Sequence, residues 1–150
     1  KEAFKNIEGH DMQELGAGFF LHDLGKCDVP ASLINKPDKL SPQEWELMRN
    51  HPSKGKRLLK EARQLSEECA LIVMQHHERE DGTGYPLGLH RNEIHDYGRI
   101  CSIADVYDAL TSTRAYKKKL PPFQALQVMK DEMFHHFNRD LFGIFVSIFS

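Results

Sequence analysis

The sequence predicts an all-α domain, and three observations carry that prediction. Apolar residues recur three and four positions apart along most of the chain, the spacing that lines one face of a helix. Helix-start signals precede several of these runs. The alternation that marks a half-buried strand is weak throughout. No internal repeat or linker interrupts the pattern. A length of 150 residues suits one hydrophobic core, so a single domain, 1–150, is expected.

The first element, "MQELGAGFFLHDLG", has apolar residues at 12, 15, 19 and 20, with a soft spot at Gly16 and Gly18. "LSPQEWELMRNH" opens with Ser41 as cap, Pro42 at the first helical position and Glu44 three residues after the cap. Pro52 and Ser53 then reset the chain into "KGKRLLKEARQL". In "SEECALIVMQHHE", Ser66 caps, two glutamates fill the first turn, and residues 70–74 form the core stripe. The glycine-rich run 80–98 reads as a long ordered loop. A helix resumes in "RICSIADVYDALTS", and "LPPFQALQVMKDEMF" and "RDLFGIFVSIF" close the bundle, with Phe142, Phe145 and Phe149 facing the core.

Composition narrows the function classes. The chain is 40% hydrophobic and 28% charged, as soluble proteins are, with a formal charge of -2. That balance argues against bulk attraction to DNA or RNA, although Arg114 and the lysines at 117–119 suit a small anionic ligand. No apolar run is long enough to cross a bilayer, so no membrane contact by this domain is expected. Cys27, Cys69 and Cys101 are odd in number and widely spaced, which reads as reduced thiols and a cytoplasmic protein.

Nine histidines are more than this length needs, and their grouping is informative. His22, Asp23, His51, His76, His77 and Asp105 offer imidazole and carboxylate donors, a set suited to iron or manganese and also to nickel or zinc. The adjacent His22-Asp23 pair can serve two metals, because a carboxylate has two oxygens. Asp105 lies in an apolar helix, where an unpaired carboxylate is costly. Asp108, one turn on, is expected either to partner a ligand from behind or to support that helix face. His10, His90 and His95 read as surface or turn residues. His135 and His136 end a helix, where the dipole alone favours histidine, and metal binding is not expected there.

With these residues in place, the chain resembles the HD-GYP family, the cyclic-di-GMP phosphodiesterases of the HD-domain superfamily. The resemblance rests on "FLHDLGK" (20–26), "PASLINKPDKLSPQEWELMRNHPSKG" (30–55), "HHEREDGTGYP" (76–86) and "GRICSIADVYDALTSTRAYKK" (98–118), in order. It implies an HD-domain-like helical bundle with a long GYP loop. It also implies that His22, Asp23, His51, His76, His77 and Asp105 are the metal ligands, and that Lys26, Tyr85, Arg114 and Lys117 contact nucleotide phosphate. The family's additional histidine and glutamate lie on a helix well ahead of the HD pair, and this chain starts too close to His22 to include it. Glu80 replaces a usual aromatic residue, and Phe137-Asn138-Arg139 a usual "FDP"; both are expected to alter local packing.

The implied activity is hydrolysis of cyclic-di-GMP to linear pGpG, with GMP as the alternative final product, in signal transduction. Two divalent metals bridged by Asp23 would activate water and neutralise phosphate charge; iron or manganese is expected, with nickel, zinc or magnesium as alternatives. Lys26, one turn after His22 if that segment stays helical, would join Asp23 as a catalytic residue by stabilising transition-state charge. A plain surface salt bridge is the alternative for Lys26, and a core-capping role for Tyr85. Mixed cyclic GMP-AMP is the alternative substrate, and an inactive dinucleotide-binding or protein-interaction module the alternative function. The family also implies a sensor or receiver domain before Lys1.

Overall fold

The computed structural model describes residues 11–63, 66–113 and 118–149. Among the described residues, eight α-helices and two 3-10 turns follow one another. The expected all-α architecture is the observed one, with an isolated bridge between Asp81 and His90 as its sole named β feature among the described residues.

Local chemistry sets most boundaries. Helix α1 (Met12–Leu21) starts where the Asp11 carboxylate accepts from the amides of Gln13 and Glu14. The chain then tightens into a 3-10 turn (Leu24–Asp28), and a short α2 (Ala31–Ile34) follows that the periodicity had not marked. Helix α3 (Pro42–Arg49) carries the expected capping box: Ser41 accepts from the Glu44 amide, and Glu44 from the Ser41 amide. Helix α4 (His51–Glu61) begins earlier than expected. Pro52 sits in its first turn, where its missing N–H would have had no partner, so the break falls at Asn50 and His51 opens the helix.

Ser66 caps α5 (Glu67–Gln75) as expected. Helix α6 (Asp96–Thr111) takes in the last three residues of the expected loop, because the His95 ring accepts from the Tyr97 amide and acts as cap. Helix α7 (Pro122–Glu132), a second 3-10 turn (Phe134–His136) and α8 (Arg139–Ser147) close the chain. Asn138, in place of the family's aspartate, caps α8 by accepting from the Leu141 amide.

Helix α5 is central and packs on α1, α4 and α6. Leu15, Ile72, Tyr97 and Cys101 fill one side of it, and Leu59, Cys69 and Val73 the other. A separate cluster of Ile103, Leu110, Ala125, Met129, Phe137 and Phe142 joins α6 to α7 and α8, with Phe145 packed against it. Full burial of each large apolar side chain contributes about 1.5–3 kcal/mol. The three cysteines are unbridged. No described helix is long and apolar enough to cross a membrane.

Helix α1 departs from its periodicity. Leu15 is buried, but Met12 and Phe20 are 57% and 86% exposed. The closest approach to α5 is made instead by Gly18, whose missing side chain admits Ile72. Gly18 of the supposed soft spot packs on α5 beside Leu15 and Phe19, whereas Gly16 is exposed.

Candidate metal centre

Four separate elements supply the six residues expected to bind metal. His22 and Asp23 follow α1, His51 opens α4, His76 and His77 follow α5, and Asp105 lies within α6. Their approach depends on one glycine. A Cβ on Gly25 would overlap the His51 carbonyl oxygen, so only glycine lets the 3-10 turn carrying Asp23 seat on α4 beside Gly55.

Backbone carbonyls then fix three imidazoles. His22 Nδ1 donates to Phe19 O at 2.7 Å, His51 Nδ1 to Met48 O at 2.8 Å, and His76 Nδ1 to Val73 O at 2.9 Å. A carbonyl can only accept, so the proton of each neutral ring is on Nδ1 and each Nε2 presents a lone pair. All three lone pairs point inward. His51 Nε2 and His76 Nε2 lie 3.2 Å apart, with Asp23 Oδ1 3.2 Å from the first and 3.7 Å from the second. His22 Nε2 is 3.7 Å from Asp23 Oδ2 and 3.8 Å from Asp105 Oδ1, and His77 Nδ1 is 3.9 Å from Asp105 Oδ2.

This arrangement has acceptors facing acceptors. His22 Nε2 and Asp23 Oδ1 are buried with no hydrogen-bond partner. Such a concentration of lone pairs without donors is costly unless positive charge lies among them. The donors divide into two groups, Asp23 with His51, His76 and His77, and Asp23 with His22 and Asp105, so Asp23 is common to both. The residues therefore fit divalent cations bound by imidazole and carboxylate.

Electrostatics agree with the geometry. Burial pushes the Asp23 pKa up, yet His51, His76 and Lys26 outweigh it and hold the carboxyl well below the usual range. Burial also pushes Asp105 up, but the neighbouring His22 and His77 imidazoles outweigh it and bring it below its ordinary value. Burial lowers His76, and burial with neighbouring His76 and His51 lowers His77. Both stay neutral near pH 7, the protonation state a ligand needs.

The neighbouring cavity has a volume of about 330 Å³, with Lys26, His51, His77 and Asp105 among its polar lining and Leu40, Trp45 and Tyr85 in its walls. Lys26 does not extend from an α-helical turn as the spacing suggested. The 3-10 turn brings its ammonium to Asp23 Oδ2 at 2.5 Å, at the edge of the centre. Tyr85 stacks on His77 at 4.6 Å between centroids and meets the edge of Trp45 at 5.5 Å. Arg114 and Lys117 lie outside the described residues. Asp108 is exposed and accepts from Ser112, so it supports its helix and stands apart from the centre.

Two residues in the quoted motifs have roles that the pattern did not reveal. Trp45 belongs to the cavity wall. Glu78 is 2% exposed and accepts from the amides of Leu87 and Leu89 at 2.7 and 2.8 Å, which anchors the loop carrying Tyr85. Its position directly after His76-His77 was the available signal. Gly84 lets that loop touch its own origin, since a Cβ there would lie 2.6 Å from the His77 carbonyl oxygen. Glu80 accepts from Arg91 and Arg99, so the replaced aromatic position is now an ion-pair anchor.

A helical bundle holding paired imidazole and carboxylate donors at its centre defines a metal-binding α-domain of the HD type. The family model described as HD domain matches residues 5–141, and the chain belongs to that family; its "HHEREDGTGYP" is the hallmark of the HD-GYP branch. A cyclic di-GMP phosphodiesterase of Pseudomonas aeruginosa is 43% identical over 135 residues, 90% of this chain and 32% of that protein. A 3'3'-cGAMP-specific phosphodiesterase of Vibrio cholerae is 39% identical over 122 residues, 81% of this chain and 23% of that protein. The chain thus spans about a third or less of these relatives. An HDG"Y"P protein from Bdellovibrio bacteriovorus has the same fold, with a TM-score of 0.73 at 24% identity, covering 91% of this chain and 43% of that one.

Proposed function

We propose that this chain is the catalytic domain of a metal-dependent phosphodiesterase that opens cyclic-di-GMP to linear pGpG. The observation that carries the reading is the convergence of the His51 and His76 Nε2 atoms with the partnerless His22 Nε2 and Asp23 Oδ1, beside a cavity holding Lys26 and Tyr85. The relatives' names support the substrate class. His22, Asp23, His51, His76, His77 and Asp105 would hold two divalent metals, iron or manganese, with Asp23 shared between them. When bound, such metals supply Lewis acidity toward phosphate oxygen and a water of lowered pKa.

The chain's own residues would do the rest. Lys26 offers a fixed positive charge to the developing charge on phosphate oxygens. Tyr85 is held by His77 and Trp45; burial, then the charges of Asp105 and Asp23, raise its pKa, so its hydroxyl stays a neutral donor. Trp45 presents an aromatic edge in the cavity wall, suited to packing against a nucleobase. Arg114 and Lys117 would meet the second phosphate, and the remaining length of the relatives supports a regulatory region joined to this domain.

Incubation of the purified protein with manganese or iron(II) and cyclic-di-GMP, followed by chromatography of the products, tests this. Linear pGpG is expected. No linear product at any metal loading, with tight dinucleotide binding, would instead establish a binding module. Mixed cyclic GMP-AMP is the second substrate to assay, motivated by the cGAMP-specific relative; the ratio of kcat/KM values decides between them.

A further inference from the structure

A second cluster of metal-ligating side chains lies away from the centre described above. Asp81, in the stretch that opens the GYP loop, meets His135 and His136 of the second 3-10 turn. Asp81 Oδ2 is 3.7 Å from His135 Nε2 and 4.0 Å from His136 Nε2. One donor atom from each of the three lies within 4.8 Å of the others.

The carboxylate is held in place. The Thr83 amide and hydroxyl both donate to Asp81 Oδ1, at 2.9 and 2.6 Å, which leaves Oδ2 turned toward the two imidazoles. The backbone fixes the two segments against each other, since the Glu80 amide donates to the His136 carbonyl at 3.0 Å. The two rings pack at 4.2 Å between centroids. His136 Nδ1 is buried with no hydrogen-bond partner, and His135 is 64% exposed, so the cluster is open to solvent on one side.

We propose that Asp81, His135 and His136 form a separate, solvent-accessible site for a zinc-class divalent cation. Two imidazoles and one carboxylate are a set that zinc accepts, with water in the remaining position, at about 2.0–2.2 Å per bond. The two carboxylate–imidazole separations are 3.7 and 4.0 Å and all three donors lie within 4.8 Å, so the side chains must close inward to reach that geometry. Hard cations such as magnesium and calcium prefer all-oxygen ligands and would not compete. The nearby Arg79 guanidinium, which donates to Thr83, opposes the cation and keeps the affinity below that of a closed four-ligand site. A bound ion would tie the base of the loop bearing Tyr85 to the turn between α7 and α8.

The test is a crystal of the protein soaked in zinc, with anomalous data collected on both sides of the zinc edge, together with zinc titration of the manganese-loaded protein. An anomalous peak bonded to Asp81, His135 and His136 is expected, distinct from any peak among His22, Asp23 and His51. His135→Ala, at an exposed position, should weaken zinc binding at this site at least about tenfold, the loss that follows removal of even an outer partner of a metal. Zinc should also raise Tm of the parent protein and do so less in the variant. No peak at the cluster, or zinc binding unchanged by His135→Ala, would overturn the proposal. Either result leaves the reading of the main centre untouched, because the ligand sets share no residue.

Discussion

Two adjacent histidine pairs follow helices in this molecule, and their surroundings separate them. His76 and His77 leave α5 into the interior; His76 is 1% exposed and its Nδ1 is locked to the carbonyls of Ile72 and Val73. His135 and His136 follow α7, the first exposed and the second largely covered; among the described residues no carbonyl fixes either ring, and a single carboxylate, Asp81, faces both. The same dipeptide thus becomes part of a dense, pre-oriented centre in one place and part of a sparse, open one in the other. What differs is the orientation of the ring nitrogens and the number of carboxylates brought to meet them.

The largest effect expected is at the shared carboxylate of the dense centre. Asp23→Ala should remove metal from both groups of ligands and lower hydrolysis by about a thousandfold or more, the scale of losing several kcal/mol of charge stabilisation. Elemental analysis beside the turnover assay checks this; full metal occupancy in the variant would show that Asp23 is not shared. Lys26→Ala separates charge stabilisation from coordination. Metal content should hold while kcat falls about 100- to 1000-fold. Metal lost in parallel with kcat would mean that Lys26 positions Asp23 and does no more.

Glu78→Gln probes the scaffold beneath the loop. It weakens two charge-assisted bonds to the Leu87 and Leu89 amides, each worth about 1.5–3 kcal/mol. Urea unfolding should register a loss of that order, and KM should rise as Tyr85 loses its support. An unchanged unfolding midpoint would place the anchor elsewhere.

The two histidine pairs also differ in their response to acid. In the metal-free protein His76 and His77 are held below the ordinary value of 6.5, so the folded state stays neutral while the unfolded chain takes up protons. Their contribution is therefore intact above 6.5 and lost as pH falls beneath it, by up to about 1.4 kcal/mol per pH unit for each group. His22, held above its ordinary value, acts in the opposite sense and reduces the net slope. His76→Gln should flatten the acid limb of a stability-against-pH curve. The smallest effect belongs to the exposed pair: without zinc, His135→Ala should shift stability by less than about 0.5 kcal/mol. A larger loss would mean that the surface cluster already contributes to folding by itself.

Much of the bundle was legible because its signals are local. The capping residues Ser41 and Ser66 and the apolar stripe of α5 act within a few residues of where they stand, so their consequences appear in sequence order. Misplaced features had non-local causes. The start of α4 is the exception, set locally by Asn50 breaking the chain before Pro52. The buried face of α1 depended on Gly18 meeting Ile72, and the roles of Trp45 and Glu78 on a loop folding back over α3 and α5.

By itself the sequence determined the all-α class, most helix ends and the chemical types of the six residues at the centre, because hydrogen-bond donors, apolar periodicity and motif order are properties of neighbouring residues. Only the tertiary structure decided that the Nε2 atoms of His51 and His76 meet, that Asp23 is common to both groups of donors, and that Asp81 meets His135 and His136 across the fold. Each ring is oriented locally, by a carbonyl three or four residues back, but its meeting with the other rings and the carboxylates depends on how the helices pack, which no spacing along the chain encodes.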